Sequence, residues 1–123
     1  MQEIPERRRR RSADPLVALH YQLSHARTEA SFDTIVVADR AGVVVAGAGS
    51  WAACEELAAY APLIEAGSFG ESARIAELRD RVTMHTVDIG GDTVLLCAIA
   101  SGPARAPEVL GRAAAGISRI LAH

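Results

Sequence analysis

Thr34-Ile35-Val36-Val37-Ala38-Asp39-Arg40-Ala41-Gly42-Val43-Val44-Val45 is the stretch that decides the fold. Two short apolar runs, rich in β-branched residues, flank a polar turn that ends in glycine. β-branched side chains are stiff at χ1 and suit a pleated surface, and two such runs around a glycine-containing turn predict a β-hairpin. The first strand is expected over 32–38.

Downstream, Gly47-Ala48-Gly49-Ser50 ends the second strand and leaves Ser50 placed to cap a helix. Trp51, Cys54, Leu57, Ala58 and Ala61 then fall on one stripe at helical spacing. Pro62 is expected to kink that helix or to start a fresh turn, and Gly67, Ser68 and Gly70 mark a loop. Upstream, Asp14 before Pro15 is an N-cap signal. Leu16, Leu19, His20, Leu23, Ala26 and Ala30 follow at three- and four-residue spacing, a helix over 15–30.

Residues 82–89 alternate, Val82, Met84 and Thr86 against Thr83, His85 and Val87. Gly90-Gly91 is a second hairpin signal. Residues 93–100 are almost wholly apolar, the pattern of a central strand covered on both faces. Ser101-Gly102-Pro103 breaks it, and a last helix runs over 107–121 with Leu110, Ala113, Ala114, Ile117, Ile120 and Leu121 as its stripe. Residues 71–80 read equally as a helix or an edge strand. The fold class is therefore α+β: a single antiparallel sheet of four or five strands sandwiched between helices, in the order α-β-β-α-(β)-β-β-α. The organisation is an arginine-rich arm over 1–12 and one domain over 13–123.

Composition narrows the function classes. The chain has 123 residues and is 50% hydrophobic, enough for a core without disulfides or a structural metal. Residues 1–11 hold five of the 13 basic residues, Arg7, Arg8, Arg9, Arg10 and Arg11, with only Glu3 and Glu6 against them. The remainder carries a balance of −5 and is a poor surface for wrapping nucleic acid. The arm, without interleaved aromatics, is read as a solvated segment, as a contact to an acidic partner protein or an anionic surface, or as a non-specific, salt-sensitive contact to nucleic acid. The absence of lysine and asparagine points to a GC-rich, bacterial genome. No secretory leader and no membrane span are expected, since the longest apolar run covers only residues 94–100. The expected location is the cytoplasm.

The sequence offers little chemistry. His20 and His25 lie on different faces of one helix, and His85 with Cys97 on paired strands makes two ligands where zinc usually takes four. Ser50 lacks the glycine pattern of a nucleophile elbow and is better read as a cap. Cys54, one turn into a helix, is a candidate for a lowered thiol pKa, but its place on the apolar stripe favours burial. Gly47 and Gly49 sit in the wrong context for a phosphate-binding loop, and Glu55-Glu56 diverge around the helix. No catalytic residue, metal site or cofactor is assigned, and the chain is read as a non-enzymatic interaction module.

The order of elements, the 34–45 hairpin and the following Glu55-Glu56-Leu57-Ala58-Ala59 helix resemble the Roadblock/LC7 family, whose domains are profilin- and longin-like. The resemblance covers roughly residues 15–122. It implies a five-stranded antiparallel sheet between helices, dimers formed through the middle helix and an adjacent strand, no enzymatic activity, and in bacteria the regulation or scaffolding of small Ras-like GTPases. On this basis the homodimer interface is expected at Trp51, Cys54, Leu57, Ala58 and Ala61. A stripe richer in apolar surface than one sheet face needs supports that expectation. The alternative reading is a GAF/PAS-like sensory or ligand-binding domain.

Overall fold

The computed structural model describes residues 15–67, 73, 77–78, 81–89, 91–100 and 106–121. The arm, the Asp14 cap and Arg7–Arg11 lie outside them. Among the described residues these elements follow one another: α1 (Pro15–Ala30), β1 (Phe32–Ala38), β2 (Val44–Ala48), α2 (Trp51–Ala66), β3 (Val82–Ile89), β4 (Asp92–Ala100) and α3 (Ala106–Leu121). The strands form one antiparallel sheet in the order β2-β1-β4-β3. Both hairpins expected from sequence are present, and the two most apolar strands sit in the middle.

Of the segment over 71–80 that reads either way, only 73, 77 and 78 are among the described residues. Ala73, Glu77, Leu78 and Arg81 have helical backbone, and Leu78 is fully buried with the α2 layer. Among the described residues the sheet therefore has four strands, not the five that the family resemblance implies.

Two cores lie on the two faces of the sheet. α1 and α3 cover one face, where Leu19, Leu23, Val109, Leu110 and Ile117 meet Ile35, Val37, Leu96 and Ala98. α2 covers the other, where Cys54, Leu57, Ala58 and Ala61 meet Val36, Ala38, Leu95 and Cys97. Strict alternation would not place Phe32 with Ile35, because they lie three residues apart. A bulge at Asp33 shifts the β1–β4 register, so that Phe32 pairs with Ala100 and Thr34 with Ile99. Phe32 is thereby turned into the α1/α3 core, and Asp33 is left exposed. The exposed ends of the predicted α1 stripe, Leu16 and His20, point away from the core. His20 instead donates from Nδ1 to the Gly47 carbonyl, 3.1 Å away on the edge strand β2.

Asp39 makes the first hairpin. Its Oδ1 accepts from the backbone N–H of Ala41 at 2.9 Å and of Val43 at 3.0 Å. Its backbone pairs with Val43 and Gly42 across the turn. Arg40 then reaches Glu65 through two hydrogen bonds of 3.2 and 3.3 Å, tying the turn to the far end of α2. Gly42, at φ 85°, lies so close to α2 that a Cβ there would come within 3.4 Å of Ala59 O and 3.5 Å of Ala58 O.

Pro62 does not end α2. The helix runs through it for 16 residues, from the Ser50 cap, whose Oγ accepts from Ala53 N, to Gly67 in the left-handed conformation. Proline cannot donate to the carbonyl four residues back, here Ala58 O, which with Ala59 O lies against Gly42. Buried Leu57, Ala58 and Ala61 hold the helix to the sheet on the N-terminal side of Pro62.

Gly49 joins β2 to α2 at φ 117°, and a Cβ there would stand 2.8 Å from Asp33 O. Both the backbone conformation and the clash with main chain oppose a side chain. Gly49→Ala is expected to lower stability by about 2–4 kcal/mol, read as a fall of about 10 °C or more in Tm by thermal denaturation. Gly91→Ala, at φ 99° but with nothing within 4 Å of the added Cβ, should cost less.

Candidate functional site

The helix nominated from sequence as a dimer surface lays its stripe on its own sheet. Cys54 and Leu57 are 1% exposed, and Ala58 and Ala61 are 0% exposed. Trp51, by contrast, is 58% exposed at the start of the helix. Of the five nominated residues only Trp51 is exposed, and the other four belong to the second core. A periodic apolar stripe announces that a face is covered, without saying by what.

Beside that stripe α2 presents a different flank. Tyr60, Leu63 and Ile64 follow at three- and four-residue spacing, Leu63 being 41% exposed and Tyr60 half-buried. Gly42 and the Arg40–Glu65 pair hold the opposite flank against the β1–β2 turn. Tyr60 and Ile64 border the same apolar cluster as Val82 and Met84 of the edge strand β3, which are also half-buried. α2 rests mainly on β1 and β2. An edge strand with a partly covered apolar face beside a half-exposed helix flank is where a second chain can complete a layer.

The other residues singled out from sequence do not assemble into a reactive centre. His85 pairs with Leu96, and Met84 pairs with Cys97. Cys97 therefore faces α2, whereas His85 points to the opposite face and is exposed. Neighbouring strands bring the two residues near in chain position, yet the pleat separates them. Among the described residues no group of three or more His, Cys, Asp or Glu could hold a metal ion. Ser50 acts as the helix cap. Among the described residues no helix is long and apolar enough to cross a membrane.

Both cysteines are free and buried. Cys54 Sγ lies 3.8 Å from the Ala48 carbonyl and 4.0 Å from that of Ile35, acceptors for its weak S–H donor. Gly47 is what admits it, since a Cβ at that position would stand 2.8 Å from Cys54 Sγ. Burial pushes the Cys54 thiol up from its ordinary value of 9.0, opposite to the shift that a helix N-terminus would give. Burial pushes Cys97 up to about 12.

On the face of the sheet away from α2, α1 and α3 meet in a surface groove of about 330 Å3. Arg112 and Arg119 of α3, together with His25 and Glu29 of α1, form its rim, and Ala26 and Ala113 are among its apolar lining. Glu29 accepts from Arg112 Nη2 at 2.8 Å and lies 3.7 Å from His25 Nε2. Each helix contributes a row of side chains at three- and four-residue spacing, but only tertiary structure sets the rows opposite each other. Sequence reading does not mark this groove.

No protein-family model matches the chain, and no curated protein matches it. Solved structures do. An MglB with a tetrameric arrangement is 22% identical, with 87% of this chain and 90% of that one covered, at a TM-score of 0.60. The gliding protein MglB of Thermus thermophilus is 18% identical over 87% of this chain and 90% of that one, at a TM-score of 0.58. MglB of Myxococcus xanthus is 14% identical over 85% and 88%, at a TM-score of 0.54. The fold is roadblock-like. At these identities the likeness concerns architecture: one antiparallel sheet with helices on both faces, as the 34–45 hairpin and the order of elements implied.

Buried thiols give a checkable chemical consequence. In the folded chain both cysteines should resist a thiol reagent at pH 8, and both should react rapidly once denaturant is added. A group whose folded pKa is raised contributes stability that is complete below its unfolded pKa and is lost as pH rises. Stability should therefore be flat with respect to these thiols below about pH 9 and fall between 9.0 and about 12, the window set by Cys97. The slope is at most about 1.4 kcal/mol per pH unit for each thiol. Cys97→Ala, measured by denaturant unfolding across that range, should flatten the slope.

Proposed function

We propose that this chain is a non-enzymatic, roadblock-like homodimer that regulates or scaffolds a small Ras-like GTPase in the bacterial cytoplasm. The observation that carries the reading is the agreement in architecture with three MglB structures over 85–87% of the chain. One of those proteins is described as a gliding protein and another as having a tetrameric arrangement. Self-association is a reasonable property to carry to this chain.

The dimer surface in this reading is not the buried stripe of α2 but the flank beside it. Tyr60, Leu63 and Ile64 of α2 with Val82 and Met84 of β3 give aromatic and flexible apolar side chains next to a strand at the end of the described sheet. Aromatic side chains are over-represented among energetic anchors of interfaces, and methionine adapts to irregular ones. Among the described residues β3 lies at the end of the sheet, and an edge strand offers its outer backbone groups to a second sheet. The arginines Arg7–Arg11 belong to the same proposal as a contact to an acidic partner protein or an anionic surface. Their contribution would be steering and salt-sensitive affinity.

Light scattering on the wild type and on Leu63→Asp tests the dimer. Leu63 is exposed enough for the variant to fold, and a carboxylate at a dry interface should weaken association by about 100-fold or more. The expected result is a wild-type mass near twice 13.0 kDa that falls to one chain's mass in the variant, with unchanged helical circular dichroism. A wild type that stays monomeric at high concentration would remove the dimer from the proposal. The GTPase part is read from GTP hydrolysis and nucleotide release by small Ras-like GTPases of the same genome, with and without the chain. Unchanged rates for all of them would remove that part.

A further inference from the structure

We propose that the groove between α1 and α3 is a docking site for an acidic segment of a partner protein, on the opposite face of the sheet from the α2–β3 dimer surface. The inference stands on the groove itself and does not need the GTPase reading.

Charge carries the argument. Outside the arm the chain has a balance of −5, so a cationic concavity is unexpected on this surface. Yet the groove is rimmed by Arg112, Arg119 and His25 against the single acid Glu29. Arg119 makes no ion pair with a described residue. Arg112 is engaged by Glu29 at 2.8 Å, but its side chain remains 59% exposed. Its five N–H donors exceed what one carboxylate oxygen takes.

The floor is apolar and shallow-sided, with Ala26 and Ala113 buried beneath the two rows. Small side chains leave room for an apolar group of the incoming segment. Arg112 and Arg119, seven residues and so about two helical turns apart on α3, can then meet carboxylates spaced along it. A segment that alternates apolar residues with Glu or Asp at helical spacing fits this pattern. A basic segment is opposed by two fixed cations. At about 330 Å3 the space suits one or two side chains of a segment laid along the groove.

Glu29 then has a definite role: it is the internal competitor for Arg112. Its carboxylate holds the place that a partner's carboxylate would take, so the groove is partly neutralised while empty and exchanges one ion pair for another on docking. Removing Glu29's charge should strengthen binding, whereas reversing the arginines should abolish it. A merely structural ion pair would not give opposite signs.

The test uses the full chain and a fluorescently labelled 18-residue peptide with Glu and Leu at helical spacing, followed by fluorescence anisotropy at low salt. A lysine-for-glutamate version of the peptide serves as the charge control. Arg112→Glu/Arg119→Glu should weaken binding by about tenfold or more, and Glu29→Gln should strengthen it by about threefold. Leu63→Asp should change it by less than about twofold, and replacement of Arg7–Arg11 by alanine should weaken it by less than the double arginine variant does. Glu29, Leu63, Arg112 and Arg119 are exposed, and circular dichroism checks the folding of every variant. Absence of saturable binding, equal binding of the lysine peptide, unaltered binding by the double arginine variant, or loss of binding on removing the arm would each overturn the proposal. So would preferential capture of the chain by phosphatidylserine vesicles through Arg112 and Arg119 with no affinity for the peptide.

Discussion

The structure depends on β1 being hydrogen-bonded along both edges and buried on both faces. From Thr34 to Ala38 every residue is buried, with β2 on one side and β4 on the other. Ile35 and Val37 belong to one core, and Val36 and Ala38 to the other. A strand in that position cannot tolerate a register slip, because a shift by one residue would exchange the contents of the two cores. The remaining features secure that register. Asp39 closes one end with its side-chain carboxylate, while the Asp33 bulge and Gly49 set the other. The helices then follow as covers for two apolar faces that already exist.

Much of this is legible in the chain. The hairpins, α1, β3, β4 and α3 are readable because their periodicities and turn residues are local properties. The Asp39 turn and the Ser50 cap are likewise written in a few adjacent residues. Alternation misplaces Phe32, since a bulge leaves no mark beyond an acid in an apolar run. The segment over 71–80 stays open for a related reason. Ile75, Leu78 and Val82 satisfy a helical spacing, and a short apolar run satisfies a strand equally well. Pro62 reads as a kink or the start of a fresh turn because local rules assign it a lost hydrogen bond. Tertiary burial of Leu57, Ala58 and Ala61 on the sheet outweighs that loss.

The candidate surfaces are less legible than the fold, and the physical reason is the same in each case. Cys54, Leu57, Ala58 and Ala61 are identified correctly as covered positions, but sequence cannot distinguish coverage by the chain's own sheet from coverage by a second chain. His85 and Cys97 are brought to paired strands correctly and then separated by the pleat. The half-exposed flank of Tyr60, Leu63 and Ile64 carries no stronger periodicity than the buried stripe does. Functional surfaces of a small domain are residual surfaces: what remains exposed after the core has been satisfied.

That view also explains the division of labour between the two sides of the sheet. On the α2 side, among the described residues, the 16-residue α2 sits toward β1 and β2 with Leu78 buried in the same layer, while Val82 and Met84 of β3 stay half-buried as apolar surface that another chain can dry. On the other side two helices of equal length pack together across the sheet, so the apolar demand is met. What is left there is the seam between the helices, where long polar side chains must find partners. Gly116 lets α3 approach Gln22 of α1 closely, with no room for a Cβ without displacing that side chain, and the arginines are splayed along the rim. An incompletely covered sheet face favours association through apolar contact. A completely covered one offers a charged seam, so a single small sheet can present two chemically different surfaces.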